Sequence, residues 1–193
     1  MAVRTVAANS FLVGGYPAEG AKPGIRLVRD DEAVLTDRGV VVVTESPSFL
    51  VSSAGGSLVY AVNETDPGRV SAFRRTGTRA EPGLQALGDQ PTGGAHPCHL
   101  ALHPVAPLVA VANYSSGSVA ILPLAEDGSL RPHSQLLQPG RQPRHVLLFD
   151  QQLYIANQGS NTVAVVPVDS ETGLPPGPAR TVPVPSPSCV LRW

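Results

Sequence analysis

Short valine-rich runs alternate with Gly and Pro along this chain. GVVVVTE spans 39–45, GSLVYAVNE spans 56–64 and LVAVANY spans 108–114. Each is long enough for one strand and is bounded by turn-forming residues. Helical periodicity is scarce. PGLQALGD (82–89) and DEAVLTDRG (31–39) are the best helical candidates, and both are short and bounded by Gly or Pro or flanked by them. Many short strands with turn signals between them predict an all-β protein: a sandwich, a barrel or a propeller.

A repeat decides among these. VAVANYSSGSVAILPL (109–124) returns as LYIANQGSNTVAVVPV (153–168), with most substitutions exchanging one aliphatic residue for another. Asn113 and Asn157 mark the shared position, LVYAVNE adds a third copy at Asn63, and FLVGGYP adds a degenerate one at Gly15. The steps between markers are 48, 50 and 44 residues. A second marker precedes each Asn: PSFL at Pro47, PCHL at Pro97 and PRHV at Pro143, with a last copy, PSCV, at Pro187. A period in the forties matches a propeller blade of four short strands. In the unit 97–140, strand a is PCHLALHP, b is LVAVANY, c is GSVAILPLA and d is SLRPHSQLL. About four blade repeats are expected in a single domain over 1–193. The segment 10–46 supplies b, c and d of one blade, and PSPSCVLRW is expected to supply its strand a. The N- and C-terminal strands would then share one blade and lock the ring, hiding edges that otherwise invite self-association.

Composition narrows the partners. The 193 residues carry a net charge of −1, with 42% hydrophobic content. That suits one core and offers no basic surplus for nucleic acid. No window approaches the ~18 apolar residues of a membrane span, and the start MAVRTVAANSFLVGG lacks a leader pattern, so no membrane partner and a cytoplasmic location are expected. Cys98 and Cys189 are the only cysteines, and a disulfide scaffold is excluded.

The phrases LVYAVNE, HPCHLALHP, VANYSSGSVAILPL, LYIANQGSNTVAV and VPSPSCVL together resemble the lactonase family of seven-bladed β-propellers, over most of Phe11 to Leu191. That family includes propeller-type 6-phosphogluconolactonases and carboxymuconate-lactonising enzymes. The resemblance implies a lactone hydrolase of carbohydrate metabolism, in the pentose phosphate pathway, with Arg and Glu acting in the channel. Four repeats stand where the family has seven. Residues 11–135 resemble the family's start and 142–191 its last blade and closing strand, so a join is expected near 136–143, with the middle blades absent.

In a four-stranded meander, strand a lines the channel and its start lies beside the end of b. The starts of a and the ends of b should therefore collect Glu64, His99, Arg144, His145, Asn113, Tyr114, Asn157 and Gln158 at one mouth of the channel. Glu64, His99, Arg144 and His145 are the catalytic candidates. Glu64 or a histidine would take a proton from water, and Arg144 would stabilise the oxyanion or fork a substrate phosphate or carboxylate. Asn113, Tyr114, Asn157 and Gln158 would contact substrate. The plainer reading makes Asn63, Asn113 and Asn157 turn caps and His99 a packed structural histidine. No metal and no cofactor are expected: His99 and His103 lie too far apart on a strand to share an ion, and Glu64 is the only carboxylate that an axial ring with Asn113 and Asn157 would hold. No Ser-His-Asp arrangement, phosphate loop or dinucleotide fingerprint occurs. Two functions remain open: a lactonase acting on a sugar lactone such as 6-phosphogluconolactone, and a non-catalytic propeller remnant that binds but does not turn over. With four blades in place of seven, the purified chain is expected to hydrolyse the lactone no faster than buffer does and to self-associate through its exposed blade edges.

Overall fold

Runs of alternating small and branched aliphatic residues build meanders whose middle strands are buried on both faces. The computed structural model describes residues 9–30, 34–78, 81–169 and 176–193. Its first sheet contains β1 (Asn9–Val13), β2 (Ile25–Asp30) and β3 (Leu35–Val42). The second contains β4 (Leu50–Ser52), β5 (Leu58–Asn63), β6 (Arg69–Gly77) and β7 (Pro82–Pro91). The third contains β8 (Pro97–Leu102), β9 (Leu108–Asn113), β10 (Ser118–Pro123) and β11 (Gln135–Leu137). The fourth contains β12 (Pro143–Phe149), β13 (Gln152–Asn157), β14 (Thr162–Pro167) and β15 (Arg180–Pro183). All pairing is antiparallel between chain neighbours. The class is all-β, and the sheets are propeller blades.

The doubled phrase forms the β9–β10 and β13–β14 hairpins, paired Ser118↔Asn113 and Thr162↔Asn157. β9 is buried along its whole length because the neighbouring sheets cover both of its faces. One core lies between each adjacent pair of blades. Tyr60, Val62, Leu100 and Val111 join the second to the third, and Ala110, Ile121, Val146 and Ile155 join the third to the fourth. At ~25 cal/mol per Å² of apolar surface removed from water, these interfaces dominate the stability of the array.

Where described, neither helical candidate is a helix. Residues 82–89 lie in β7, and the described part of 31–39 leads into β3. Weak local helix preference yields where a neighbouring strand offers a full hydrogen-bond ladder. The expected strand d of the third blade is shorter than its sequence suggests. Only Gln135–Leu137 pairs along β10, after a bridge between Leu124 and Leu130, because Pro132 has no N–H to donate.

The expected closure is not formed. The first sheet has three strands, β1 pairs only with β2, and among the described residues Pro187–Trp193 makes no ladder with residues 10–16. The tail instead follows the inner side of the fourth blade. Val184 N–H donates to the Asn161 carbonyl at 3.0 Å, and Val190 N–H to His145 Nδ1 at 3.4 Å. Each sheet packs on the next, and no packed core joins the fourth to the first.

One backbone feature recurs at every blade entry. Ser46, His96, Gln142 and Ser186 each precede a marker proline and each adopts left-handed backbone, with φ of 38°, 50°, 51° and 42°. Such backbone costs about 1–2 kcal/mol for an L-residue. A hydrogen bond offsets it at three corners: Glu64, Tyr114 and Gln158 N–H donate to the Ser46, His96 and Gln142 carbonyls, each at 3.0 Å. The corner turns the chain inward to begin the next strand a, and so decides what faces the channel.

Candidate active site at the channel mouth

The marker asparagines stand just behind the mouth. Asn113 and Asn157 are fully buried, and Asn63 is 4% exposed. Each amide clamps the chain segment entering its blade. Asn63 Nδ2 donates to the Glu45 carbonyl at 2.6 Å, Asn113 to the Thr92 carbonyl at 3.3 Å and Asn157 to the Pro139 carbonyl at 3.2 Å. The same amides reach the first hydroxyl of strand c, Ser118 at 3.1 Å and Thr162 at 3.5 Å, while Ser71 donates to Asn63 Oδ1 at 2.7 Å. Gly94 and Gly140 make room for two of them. A Cβ would stand 2.5 Å from Asn113 Nδ2 at the first, and 2.7 Å from Asn157 Cγ at the second. This corrects the expectation that Asn113 and Asn157 touch substrate: with no accessible surface they bind the blade together. The turn-cap reading covers part of the role: these side chains bridge the b–c turn to Ser71, Ser118 and Thr162, and they also clamp the incoming segment.

The residue after each marker does face the mouth. Glu64, Tyr114 and Gln158 are all half-buried there, and Tyr16 takes the same place in the degenerate first copy. They pair across blades. Tyr16 Oη donates to Glu64 Oε2 at 2.6 Å, and Tyr114 Oη donates to Gln158 Oε1 at 3.0 Å. Ser48 Oγ adds a second donor to Glu64 Oε2 at 2.5 Å. Both donors converge on one carboxylate oxygen, so Glu64 is held in place while Oε1 receives neither. The bond to Glu64, then burial, pushes the Tyr16 phenol above its ordinary range.

Arg144 is exposed, with its guanidinium carbon 5.7 Å from the centre of the Tyr114 ring. Its charge is felt at the Tyr16 phenol and at the Cys98 thiol, and the Glu64 charge reaches Cys98 as well. Glu64 follows the end of β5 and Arg144 stands at the start of β12, so the carboxylate and the cation lie at the same end of the inner strands. Cys98 is a buried free thiol. Burial pushes its thiol up to about 11, and the thiol points at the Pro143 and Arg144 carbonyls.

Below the mouth, the third residue of each entry motif forms a column. The Phe49 and His99 rings lie 4.2 Å apart, and the His99 and His145 rings 4.0 Å apart. The column lines a groove of about 670 Å³ along the inner strands, with Val51, Ala101 and Leu147. Burial first, then the neighbouring His145 and Arg144, drives His99 down to about 3. Burial also lowers His145. Each Nδ1 accepts a backbone N–H from the next inner segment, Val146 onto His99 and Val190 onto His145, both at 3.4 Å. A neutral imidazole with Nδ1 accepting carries its proton on Nε2. His99 and His145 are thus donors toward the groove. They are poorly suited to the general-base role that the sequence allowed them.

Glu64, Tyr114, Arg144 and Gln158 come together at the mouth, and His99 and His145 line the groove beneath. Tyr16 and Ser48 were missed. Both lie at positions equivalent to ones already singled out, Tyr16 to Glu64 and Ser48 to Arg144, and the repeat alignment carried that signal. Among the described residues, no group of three His, Cys, Asp or Glu side chains is placed to hold a metal, and no helix is long and apolar enough to cross a membrane.

Comparison with known proteins adds family context. The family described as lactonase, 7-bladed beta-propeller matches residues 10–145 and again 136–192. A 6-phosphogluconolactonase of Bacillus subtilis is 28% identical over 134 residues, which are 68% of this chain and 38% of that protein. The structure of a periplasmic gluconolactonase of Pseudomonas aeruginosa superposes with a TM-score of 0.77 at 27% identity, covering 93% of this chain and 56% of that one. A Bacteroides fragilis structure, provisionally assigned as a 6-phosphogluconolactonase, gives 0.75 at 27% identity, covering 90% and 52%. The chain spans about half the length, or less, of these relatives.

Proposed function

This chain belongs to the lactonase family of seven-bladed β-propellers, and on that premise we propose that it is a lactonase-like hydrolase acting on a sugar lactone such as 6-phosphogluconolactone. The observation that carries the proposal is the anchored Glu64 carboxylate at the same mouth as the exposed Arg144 guanidinium.

Hydrolysis assigns a task to each group. Glu64 takes a proton from a water as the water oxygen attacks the lactone carbonyl carbon. Negative charge develops on the carbonyl oxygen, where Arg144 and the neutral Nε2–H groups of His99 and His145 can donate. The bond between that carbon and the ring oxygen then breaks, and the ring oxygen takes the proton from Glu64. Arg144 is alternatively the fork for a substrate phosphate. Tyr114 and Gln158, bonded to each other, would flank the sugar hydroxyls. No metal or cofactor is needed for these steps. Such a substrate would place the enzyme in the pentose phosphate pathway, with a cytoplasmic location.

A second reading, a binding module without turnover, is favoured by one fact: the chain spans only about half of its relatives. Assays of lactone disappearance against the spontaneous rate separate the two. Saturable hydrolysis lost at least ~100-fold in Glu64→Gln supports the lactonase, general-base catalysis contributing on that order. Calorimetric binding of 6-phosphogluconate without hydrolysis supports the binding module. Neither activity would reject both.

A further inference from the structure

Among the described residues the first sheet has no strand a, and the tail carries a strand-a motif that joins no sheet. β1 presents its inner edge open, with Phe11 50% and Val13 43% exposed. In the tail, Leu191 is 88% exposed and Trp193 fully so. A bare edge strand and a bare complementary segment in one chain call for each other.

The tail is already laid where the next inner strand belongs. Val146 N–H bonds His99 Nδ1 where the fourth blade follows the third, and Val190 N–H repeats that bond onto His145 at the same 3.4 Å. Ser186 repeats the left-handed corner, and its N–H is fixed by Asn161 Oδ1 at 2.9 Å. Arg192 lies over the Phe149 ring, 4.4 Å from its centre. The tail thus begins a further blade beside the fourth, while β1 of the same copy sits at the opposite end of the array.

We propose that Pro187–Trp193 supplies the missing inner strand to the first sheet of a second copy, and that the exchange is reciprocal. Two copies then close a two-fold ring of eight sheets, within the roughly four to eight blades that propellers adopt. The step between blades narrows from ~51° in a seven-bladed ring to ~45°, about 6° per interface.

The repeat sets the register. The last residue of each entry motif lies opposite the residue two before the marker: Leu50↔Ala61, Leu100↔Val111 and Val146↔Ile155. Gly15 holds the marker place in the first sheet, so Val190 pairs with Val13 of the partner, Leu191 with Leu12, Arg192 with Phe11 and Trp193 with Ser10. The proposal is independent of the lactonase reading.

The test combines mass with cross-linking. Size-exclusion chromatography with light scattering should give twice the 20.1 kDa of one chain. Val13→Cys/Val190→Cys and Leu12→Cys/Leu191→Cys are each made in a Cys189→Ser background and oxidised. Opposed antiparallel pairs alternate between close and wide Cα spacing, so one of the two designs meets disulfide geometry. A reducible band at twice the chain mass is expected. Mixing the two single-cysteine chains of that design should also link them, and circular dichroism confirms that each variant folds. A monomer at micromolar concentration overturns the proposal. So does a cross-link closed within one chain, or a dimer that neither design traps.

Discussion

His99 and His145 stack 4.0 Å apart on the inner strands of neighbouring blades, and each accepts a backbone N–H from the next segment along. The stack tolerates one neutral ring beside another. It does not tolerate a proton on either, since burial already opposes the charge.

This fixes the sign of a pH effect. The folded pKa of His99 falls to about 3, below the ~6.5 of a free histidine, so the unfolded chain binds the proton first. The stabilisation is fully present above pH ~6.5 and is lost as pH falls from there toward ~3. Thermal melts should show the melting temperature dropping between pH 7 and pH 4, by the equivalent of about 1–3 kcal/mol. His99→Phe, which extends the aromatic column from Phe49, should flatten that slope. An unchanged slope would remove His99 as its cause.

The buried asparagines should behave as clamps. Asn113→Ala leaves the buried Thr92 carbonyl and Ser118 hydroxyl without their shared donor, and Asn157→Ala does the same at Pro139 and Thr162. Each should lower the unfolding free energy by about 1–3 kcal/mol in urea titrations. A loss below ~0.5 kcal/mol, typical of surface sites, would show that the clamp does not hold the blade.

Tyr16 reports on Glu64 directly. The hydrogen bond to Glu64 is the main cause of the raised phenol pKa, ahead of burial. Glu64→Gln should therefore bring one tyrosine titration back toward the ordinary ~10, read as tyrosinate absorbance near 295 nm. Tyr16→Phe should abolish the same late-titrating component. A titration curve identical in wild type and Glu64→Gln would contradict the contact.

The two thiols should differ in reactivity. Cys189 is exposed, whereas Cys98 is buried with its thiol pushed up to about 11. A disulfide reagent at pH 8 should label Cys189 at once and Cys98 only on unfolding, since the thiolate is the reacting form. Fast labelling of both in the native protein would mean that the interface between the third and fourth blades opens readily.

Much of this molecule was legible in its residues. Valine runs broken by Gly and Pro pointed to the all-β class, because short β-branched apolar runs bounded by turns suit strands buried on both faces. Repetition of the Asn and Pro markers determined four blades and placed Glu64, Tyr114 and Gln158 at one mouth, since equivalent positions in stacked repeats face the same way. Their contacts across blades needed coordinates. Asn113 and Gln158 follow the same marker logic, yet one is sealed and the other faces the mouth; side-chain direction alternates from one residue to the next along the backbone. The left-handed corners at Ser46, His96, Gln142 and Ser186 carry no distinctive residue type and show only in the backbone. Sequence equivalence also paired the tail with β1 within one chain, and that closure is not formed. The structure leaves them apart: each sheet packs on the next, and three such interfaces leave the first and fourth sheets unjoined.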